Sequence, residues 1–492
     1  MICDKFHKYD FKTARVLGFL AFYFSLHIIL RVVSSPALEL DEGEQVVLSQ
    51  WLLPFYLEQP PLYTWLQIAI INIFGINVFS LSVLKNTLLF LSYLFILLSV
   101  KKITNNNCKA ILASVSLIFI PQISWSAQRD LTHSVLLLSV LSAFFYIIVS
   151  LIKRKNLIGY TFLGITMGLG LLSKHNFILF SGALILACLT SHETRNFLID
   201  KRIFLAIFIT LLIISPYILS IVSDSDYFIS VMNGPKTDNL TTSIKVLSEL
   251  IYRIPIILLP LCIVYAIVFR KEFFTRFPET CSIRFINLIQ RYIIFLILLL
   301  SLSIFLLEIT TIKNRWIAPL IVLIPLYLII RSREKTLTPK KISLFLRITA
   351  ITGILILVSM CIRNLSCSIS GLVTDFNYPS ETIAGEIREL GFQKGIIIAD
   401  NRRAAGALKI QFKDSIVLCP EIRRLKIKPL VYNSCKIVVL WSADKHHLMP
   451  TKLREYLVYD LGISRFSSSP IYKDVPLHLC ENKTIRVGIF LI

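Results

Sequence analysis

An acidic segment near the amino terminus is the first part of the sequence with the residue types for chemistry. From Ser34 to Leu84 there is no Lys or Arg, although the whole chain has a formal net charge of +22. The segment contains five carboxylates, which can move protons when they are held close to a reacting hydroxyl. We expect Glu39, Glu44 and Glu58 to serve topology and solubility. Asp41 and Glu42 are kept as candidates for proton chemistry.

Cationic groups recur in three short polar segments further along the chain. Ionisable groups between apolar runs usually face a cavity or one another, and Lys and Arg are suited to holding a phosphate. Together with the carboxylates, they would fit a substrate that has an anionic head and a lipid tail. Ion pairing that only joins helices is the alternative, above all for Arg129 with Asp130. The segments are Gln128-Arg129-Asp130, Ser173-Lys174-His175-Asn176 and Lys313-Asn314-Arg315-Trp316.

The elements that must position these groups are apolar helices. The chain has 492 residues, of which 55% are hydrophobic and 17% charged, so it is more apolar than a soluble protein of this size. The apolar runs predict about eleven membrane spans, because each is long enough to approach the thickness of a bilayer. A shorter run at 61–77 is interpreted as a helix lying in the membrane interface. The predicted spans are near 14–33, 78–100, 110–124, 131–152, 157–172, 175–190, 203–222, 251–269, 291–308, 316–330 and 342–362.

The distribution of Lys and Arg predicts the orientation of these spans. Lys and Arg are concentrated in alternate loops, which the positive-inside rule assigns to the cytoplasm. We therefore expect a multi-pass protein of a bacterial inner membrane, with a cytoplasmic amino terminus and with everything after about residue 362 in the periplasm. The positive charge is explained by topology and contact with anionic membrane lipids, so no nucleic-acid partner is inferred. The inner-loop cations include Lys101, Lys153, Arg202, Arg270, Lys271, Arg276 and Lys335.

A change in composition predicts two domains, a transmembrane domain at 1–362 with an acidic first outer loop at 34–77, and a small soluble domain at 363–492. In the second domain strand-like runs alternate with helix-like ones, which is typical of an α/β fold. It contains Cys367, Cys419, Cys435 and Cys480. In an oxidising compartment these cysteines would form up to two disulfides, with three possible connectivities. Free buried thiols are the equal alternative.

Several motifs resemble the membrane-embedded glycosyltransferases of the GT-C type, which include the protein O-mannosyltransferases of family 39 and the lipid A aminoarabinose and galacturonic acid transferases of family 83. The most specific signal is an Asp-Glu pair in the first outer loop followed by a Pro-Pro-Leu. The matching segments are Leu40-Asp41-Glu42-Gly43-Glu44-Gln45, Gln59-Pro60-Pro61-Leu62-Tyr63-Thr64-Trp65-Leu66, Arg129-Asp130, Gly170-Leu171-Leu172-Ser173-Lys174, and Arg315-Trp316 with Pro319.

The resemblance implies a sugar donor carried on a polyprenyl phosphate and an inverting transfer to a lipid A, lipopolysaccharide or other envelope acceptor. Asp41 corresponds to the family's loop aspartate, which is the general base or the group that orients the acceptor, with Glu42 beside it and Asp130 as a second carboxylate near the donor. Lys174, Arg129, Lys313 and Arg315 would bind the donor phosphate, with or without a divalent metal ion. Gln59, Pro60, Pro61 and Tyr63 would form the scaffold of the loop. The aminoarabinose transferases have a lysine where this chain has Gln59, so Gln-Pro-Pro-Leu-Tyr is closer to the galacturonic acid transferases.

Three alternative functions are compared with the sequence. A transporter or flippase for a lipid-linked sugar would use the same cations without making a bond, but the internal repeats common in transporters are not found in the sequence. An envelope assembly factor would not require Asp41. Among enzymes, a protein O-mannosyltransferase is the alternative, because these motifs do not define the acceptor.

Overall fold

The structure is a computed structural model that describes residues 13–56, 59–223, 240–269, 282–334, 337–422, 436–444, 448–463 and 469–492. Glu58, Cys435 and the predicted inner-loop residues Arg270, Lys271, Arg276 and Lys335 lie outside these ranges. The chain divides into two compact units. We call residues 1–25, 58–62 and 85–356 the membrane unit, and residues 26–57, 63–84 and 357–492 the sheet unit. The acidic segment therefore groups mainly with the carboxyl-terminal residues.

The membrane unit is built from apolar helices. In chain order, the α-helices of the described residues up to 370, in both units, are α1 (Thr13–Ser34), α2 (Leu40–Leu48), α3 (Leu62–Phe74), α4 (Val78–Thr104), α5 (Asn107–Val115), α6 (Ala127–Arg129), α7 (His133–Lys153), α8 (Leu157–Leu171), α9 (Phe177–Leu189), α10 (His192–Arg195), α11 (Ile203–Ser223), α12 (Leu240–Phe269), α13 (Ile283–Leu306), α14 (Asn314–Ile317), α15 (Leu323–Arg331) and α16 (Pro339–Ser370).

A count of about eleven spans is not confirmed. Seven helices in the described ranges are long and apolar enough to cross a bilayer, and a bent pair at Asn107–Phe119 and Gln122–Arg129, with 78° between its halves, raises this to eight. Each of the eleven apolar runs does contain a helix. The remaining three, α8, α9 and α15, have 15, 13 and 9 residues, whereas a perpendicular span needs about 20.

The sheet unit contains a mixed five-stranded sheet in the order β2-β1-β3-β5-β4. Strand β1 pairs in parallel with β2 and β3, and β5 is antiparallel to both β3 and β4. The predicted α/β fold is confirmed, although β4 was not predicted. The elements are α17 (Ser380–Glu389), β1 (Ile396–Ala399), α18 (Arg402–Gln411), β2 (Ile416–Leu418), β3 (Ile437–Ser442), α19 (Thr451–Glu455), β4 (Ile471–Leu477) and β5 (Cys480–Leu491).

Alternating side chains give the sheet two apolar faces. Ile397 and Ala399 of β1 are buried with α17 and α18 on one face, and Ile396 and Ile398 are buried with α19 on the other. The alternation follows from the two-residue period of a strand. The face covered by α18 also contains Ala37 and Val47 from the acidic segment, so this segment forms part of the core of the sheet unit.

Of the four carboxyl-terminal cysteines, Cys367 and Cys480 form a disulfide with a Cα–Cα distance of 5.6 Å. Cys419 is a buried free thiol, and burial raises its pKa to about 12. Cys435 lies outside the described residues. One of the possible disulfides is therefore formed, which is typical of proteins exposed to an oxidising compartment.

We expect the double variant Cys367→Ser/Cys480→Ser to lower the free energy of unfolding by about 2–4 kcal/mol, because the disulfide closes a long loop in the unfolded chain. The thermal midpoint of the purified protein in detergent would report the loss. Cys361→Ser, which changes a free cysteine, is the control. Alkylation of Cys367 and Cys480 without prior reduction would contradict the assignment.

Candidate active site

Asp41 and Glu42 occupy the first turn of α2, where the positive end of the helix dipole favours carboxylates. Glu39 caps this helix and exchanges hydrogen bonds with Glu42 in a capping box. The backbone N–H of Glu39 donates to Glu42 Oε2 at 3.2 Å. The Asp-Glu pair is thus placed by a local structure that the sequence itself encodes.

The Glu42 carboxylate is buried and engaged by Arg31 at the end of α1. Arg31 Nη2 lies 2.7 Å from Glu42 Oε2, and the same guanidinium donates to the carbonyls of Ser35 and Ala37. Its Cζ also lies 4.6 Å from the ring centroid of Phe376. These contacts fix the Glu42 carboxylate at the start of α2.

Glu39 and Glu44 are likewise buried in ion pairs. Glu39 pairs with Arg363 and Glu44 with Arg402. The expectation that these two carboxylates serve solubility is therefore wrong. A buried carboxylate is tolerated only when a cation or hydrogen-bond donors compensate its lost hydration, and both arginines come from the distant carboxyl-terminal part of the sequence.

Asp41, in contrast, is half-buried and lies close to Tyr63. Burial, followed by the negative charges of Glu42 and Asp41, raises the pKa of the Tyr63 hydroxyl well above its usual range. Tyr63 therefore keeps its proton at neutral pH. The predicted scaffold residue Tyr63 therefore lies close enough to the predicted base Asp41 for the two side chains to interact electrostatically.

Two glycines bring α2 into backbone contact with α18 of the sheet unit. A Cβ atom on Gly43 would lie 2.6 Å from the carbonyl oxygen of Arg402, and one on Gly406 would lie 2.4 Å from the Cα of Gly43. Beyond the helix, the Gln50 side chain exchanges two hydrogen bonds, at 2.8 and 2.9 Å, with the backbone of Val417 in β2. The orientation of Asp41 thus depends on the α/β fold.

In the membrane unit, most of the predicted phosphate-binding residues line one cavity of about 590 Å³. Arg129, Asp130, Lys313 and Arg315 all contribute to its wall. Arg253 is a further cation that sequence reasoning missed. Its guanidinium donates to Glu249 at 3.0 Å and to Asn314 at 2.9 Å. The signal that could have found it is a charged pair in the apolar helix α12.

Lys174 lines a second cavity of the membrane unit, of about 290 Å³, together with Gln59 and His175. Lys174 Nζ donates to Ser134 Oγ at 2.8 Å, and Ser134 Oγ donates to the carbonyl of Arg315 at 3.0 Å. Gln59 Oε1 is buried and has no hydrogen-bond partner among the described residues.

The loop that carries Gln59 is fixed at its far end, because the backbone N–H of Leu62 donates to the carbonyl of Leu172 at 3.0 Å. Pro60 and Pro61 restrict the backbone between these points. The motif Gln-Pro-Pro-Leu and the motif Leu-Leu-Ser-Lys are therefore joined in space, although more than a hundred residues separate them.

Comparison with known proteins identifies the family. The chain is 30% identical over 443 residues to the lipopolysaccharide core galacturonosyltransferase RgtA of Rhizobium johnstonii, and the match covers 88% of this chain and 87% of RgtA. The chain belongs to this family of membrane glycosyltransferases. RgtB of the same organism, a second lipopolysaccharide core galacturonosyltransferase, is 28% identical over 94% of each chain.

The family model of dolichyl-phosphate-mannose-protein mannosyltransferases matches residues 58–219 of this glycosyltransferase. That segment contains Gln59, Pro60, Pro61, Arg129, Asp130 and Lys174, whereas Asp41, Lys313 and Arg315 lie outside it. The fold is that of ArnT from Cupriavidus metallidurans. The TM-score is 0.62 for the apo structure, at 12% identity, with 96% of this chain and 98% of ArnT covered. For ArnT bound to undecaprenyl phosphate the TM-score is 0.60.

The glycosyltransferase has a further buried cation beside its Arg129-Asp130 turn, which sequence reasoning also missed. Lys85 is buried, and its Nζ lies 3.4 Å from the carbonyl of Gln128. Gln128 Nε2 donates to Asn86 at 2.8 Å. The turn that presents Arg129 and Asp130 is thus anchored on α4. Within the described ranges, no group of three or more His, Cys, Asp or Glu side chains has the arrangement of a metal site.

Proposed function

We propose that this enzyme transfers a sugar from a polyprenyl-phosphate donor to a lipopolysaccharide or lipid A acceptor on the outer face of a bacterial inner membrane. The observation that carries the proposal is the gathering of Arg129, Lys313 and Arg315 on one cavity of the membrane unit, with Lys174 on the next. Cations at this density are suited to a phosphate. The relatives RgtA and RgtB make galacturonic acid the first sugar to test.

In the proposed mechanism the acceptor hydroxyl attacks the anomeric carbon of the donor sugar. The carbon–oxygen bond to the phosphate breaks, and the polyprenyl phosphate leaves as an anion. Lys174, Arg129, Lys313 and Arg315 stabilise this anion, and Asp130 orders the arginine and lysine side chains around it. Asp41 takes the proton of the acceptor hydroxyl as its oxygen bonds to the sugar.

The proposal also includes the orientation of the protein in the membrane. The amino terminus would be cytoplasmic and the carboxyl-terminal α/β domain at 363–492 periplasmic. The positive-inside distribution of charge supports this direction, and the Cys367–Cys480 disulfide supports an oxidising compartment.

The central experiment is reconstitution of the purified protein in vesicles with a radiolabelled polyprenyl-phosphate galacturonic acid and rough lipopolysaccharide. We expect label to move from the donor into the lipopolysaccharide. Label that crosses the bilayer but stays on the donor would show a flippase instead. Label that enters only an added Ser- and Thr-rich polypeptide would show a protein O-glycosyltransferase.

Lys174→Ala is expected to raise KM for the donor about 10–100-fold, because a hydrogen bond to a charged group contributes about 1.5–3 kcal/mol. The Michaelis constant for the acceptor should change little. Steady-state kinetics with each substrate varied in turn would separate the two effects. Lys340→Ala removes an exposed lysine and is the control. An unchanged KM for the donor in Lys174→Ala would remove this residue from the phosphate site.

A further inference from the structure

The sheet unit contains a cavity of about 820 Å³ that is separate in its lining from both cavities of the membrane unit. Binding sites for small ligands commonly enclose about 300–1,000 Å³, with apolar walls and a few polar groups. The walls here are Trp441, Tyr472 and Phe490, and the polar groups are Asp400, Lys452 and Arg454. No role in the transfer reaction has been given to any of these residues.

The topology of the sheet places this cavity where ligands are expected. Strand β1 is followed by its neighbour β2 on one side, and the chain then crosses to β3 on the other side. In open α/β sheets such a reversal leaves a crevice at the carboxyl ends of the two central strands, and ligands bind there. Asp400 follows directly after β1, and Trp441 is the penultimate residue of β3. Both line the cavity.

The aromatic wall exists because one residue has no side chain. Gly488 in β5 is paired with Trp441 on one side and with Tyr472 on the other. A Cβ on Gly488 would lie 2.2 Å from the Trp441 ring. The two aromatic rings therefore meet over this glycine, with centroids 6.2 Å apart and planes at 90°. Trp441 Nε1 is buried and has no hydrogen-bond partner among the described residues.

The carboxylate of Asp400 is held in place beside this wall. It accepts hydrogen bonds from the backbone N–H of Ser442 at 3.0 Å and from the side chain of Asn401 at 2.6 Å. Burial raises its pKa. The carboxylate is half-buried and lines the cavity, so it lies where hydroxyl groups of a ligand would donate to it.

The amino end of α18, next to Asp400, is already occupied. The backbone N–H of Arg402 donates to Glu421, and that of Ala404 donates to Asn401. A nucleotide phosphate would need such N–H groups. Negative groups of a ligand would instead meet Lys452 and Arg454, whose side chains are exposed at the cavity.

We propose that this cavity binds an anionic saccharide, the acidic core oligosaccharide of the acceptor. The half-exposed ring of Tyr472, backed by the buried Trp441 and Phe490, packs against the apolar face of a sugar ring. Asp400 accepts from sugar hydroxyls, and Lys452 and Arg454 pair with carboxylate or phosphate groups. The identity of the saccharide as part of the acceptor rests on the proposed function. The binding itself requires no sugar transfer.

The test uses the full-length protein in detergent and the delipidated core oligosaccharide of rough lipopolysaccharide, without donor. We expect saturable binding, at least 10-fold weaker in the variants Lys452→Ala/Arg454→Ala and Tyr472→Ala. The exposed cations are changed first, because their loss leaves the core intact. Lys394→Ala, an exposed lysine of the same unit outside the cavity, is the control. Neutral maltoheptaose should not compete.

Kinetics then distinguish this proposal from the proposed function. In the transfer reaction the same variants should raise KM for lipopolysaccharide about 10-fold and leave KM for the polyprenyl donor unchanged. A raised KM for the donor instead would assign the cavity to the donor sugar and overturn the proposal, as would equal oligosaccharide binding by wild type and variants. Binding without any transfer would support the cavity and reject the transferase reaction with that donor.

Discussion

Asp41→Asn is expected to reduce kcat by about 100-fold or more while leaving expression, membrane insertion and the Cys367–Cys480 disulfide unchanged. The proposed general base contributes about 10²–10⁴-fold when it is placed on the acceptor hydroxyl, and the amide of Asn cannot accept the proton. The change is nearly isosteric and the side chain is half-buried, so the fold should tolerate it. The measurement is sugar transfer to lipopolysaccharide at saturating donor and acceptor.

The matched control for this variant is Glu381→Gln, which changes an exposed carboxylate in the first turn of α17 of the same unit. It should retain full activity. A second comparison is Glu42→Gln, in which the ion pair with Arg31 is lost. It should lower the thermal midpoint as well as activity, whereas Asp41→Asn should lower activity alone. Near-normal turnover by Asp41→Asn would reject Asp41 as the base.

The contrast between Asp41 and its neighbours shows what the sequence alone can identify. The five carboxylates are visible as a group in a basic chain, and the capping box of Glu39 and Glu42 is a local pattern. The separate roles of Glu42, Glu39 and Glu44 depend on ion pairs with Arg31, Arg363 and Arg402, respectively. Arg363 and Arg402 lie more than 300 residues away in sequence, and no periodicity or spacing predicts such pairs. Buried charge was therefore mistaken for solvated charge.

In the membrane region too, the sequence predicts some features and misses others. Apolar runs predicted where helices form, because hydropathy is a local property of the sequence. They did not predict that α8, α9 and α15 would be short, since the length of a helix depends on the turns and packing around it. Arg129, Asp130, Lys313 and Arg315 were predicted as separate loop residues, and the structure brings them to one cavity. Arg253 and Lys85 are missed because each lies within an apolar run, at 251–269 and 78–100, and not in a polar segment between runs.

The sheet unit gives the clearest example of a relation that was not predicted. Strands β1, β2, β3 and β5 were predicted from short apolar runs, whereas β4 contains Lys, Asp and Pro and has an exposed first half. Composition alone assigns the acidic segment and the α/β domain to separate domains. Their contact depends on Gly43 and Gly406, and a glycine in a helix carries no signal that shows which other helix it will meet.

Gly406→Ala is therefore expected to lower both stability and activity through the position of α2. The new Cβ would lie 2.4 Å from the Cα and 2.6 Å from the carbonyl oxygen of Gly43, and backbone atoms cannot rotate away as a side chain can. Overpacking of this kind costs about 1–3 kcal/mol. The thermal midpoint should fall, and kcat should fall even at temperatures where the variant is folded, because α2 carries Asp41.

Gly385→Ala is the control, since this glycine of α17 has no neighbouring atom within 4 Å of an added Cβ. It should keep full activity and gain about 0.5–1 kcal/mol of stability. If Gly406→Ala retained the wild-type midpoint and kcat, the contact between α2 and α18 would not position the proposed base.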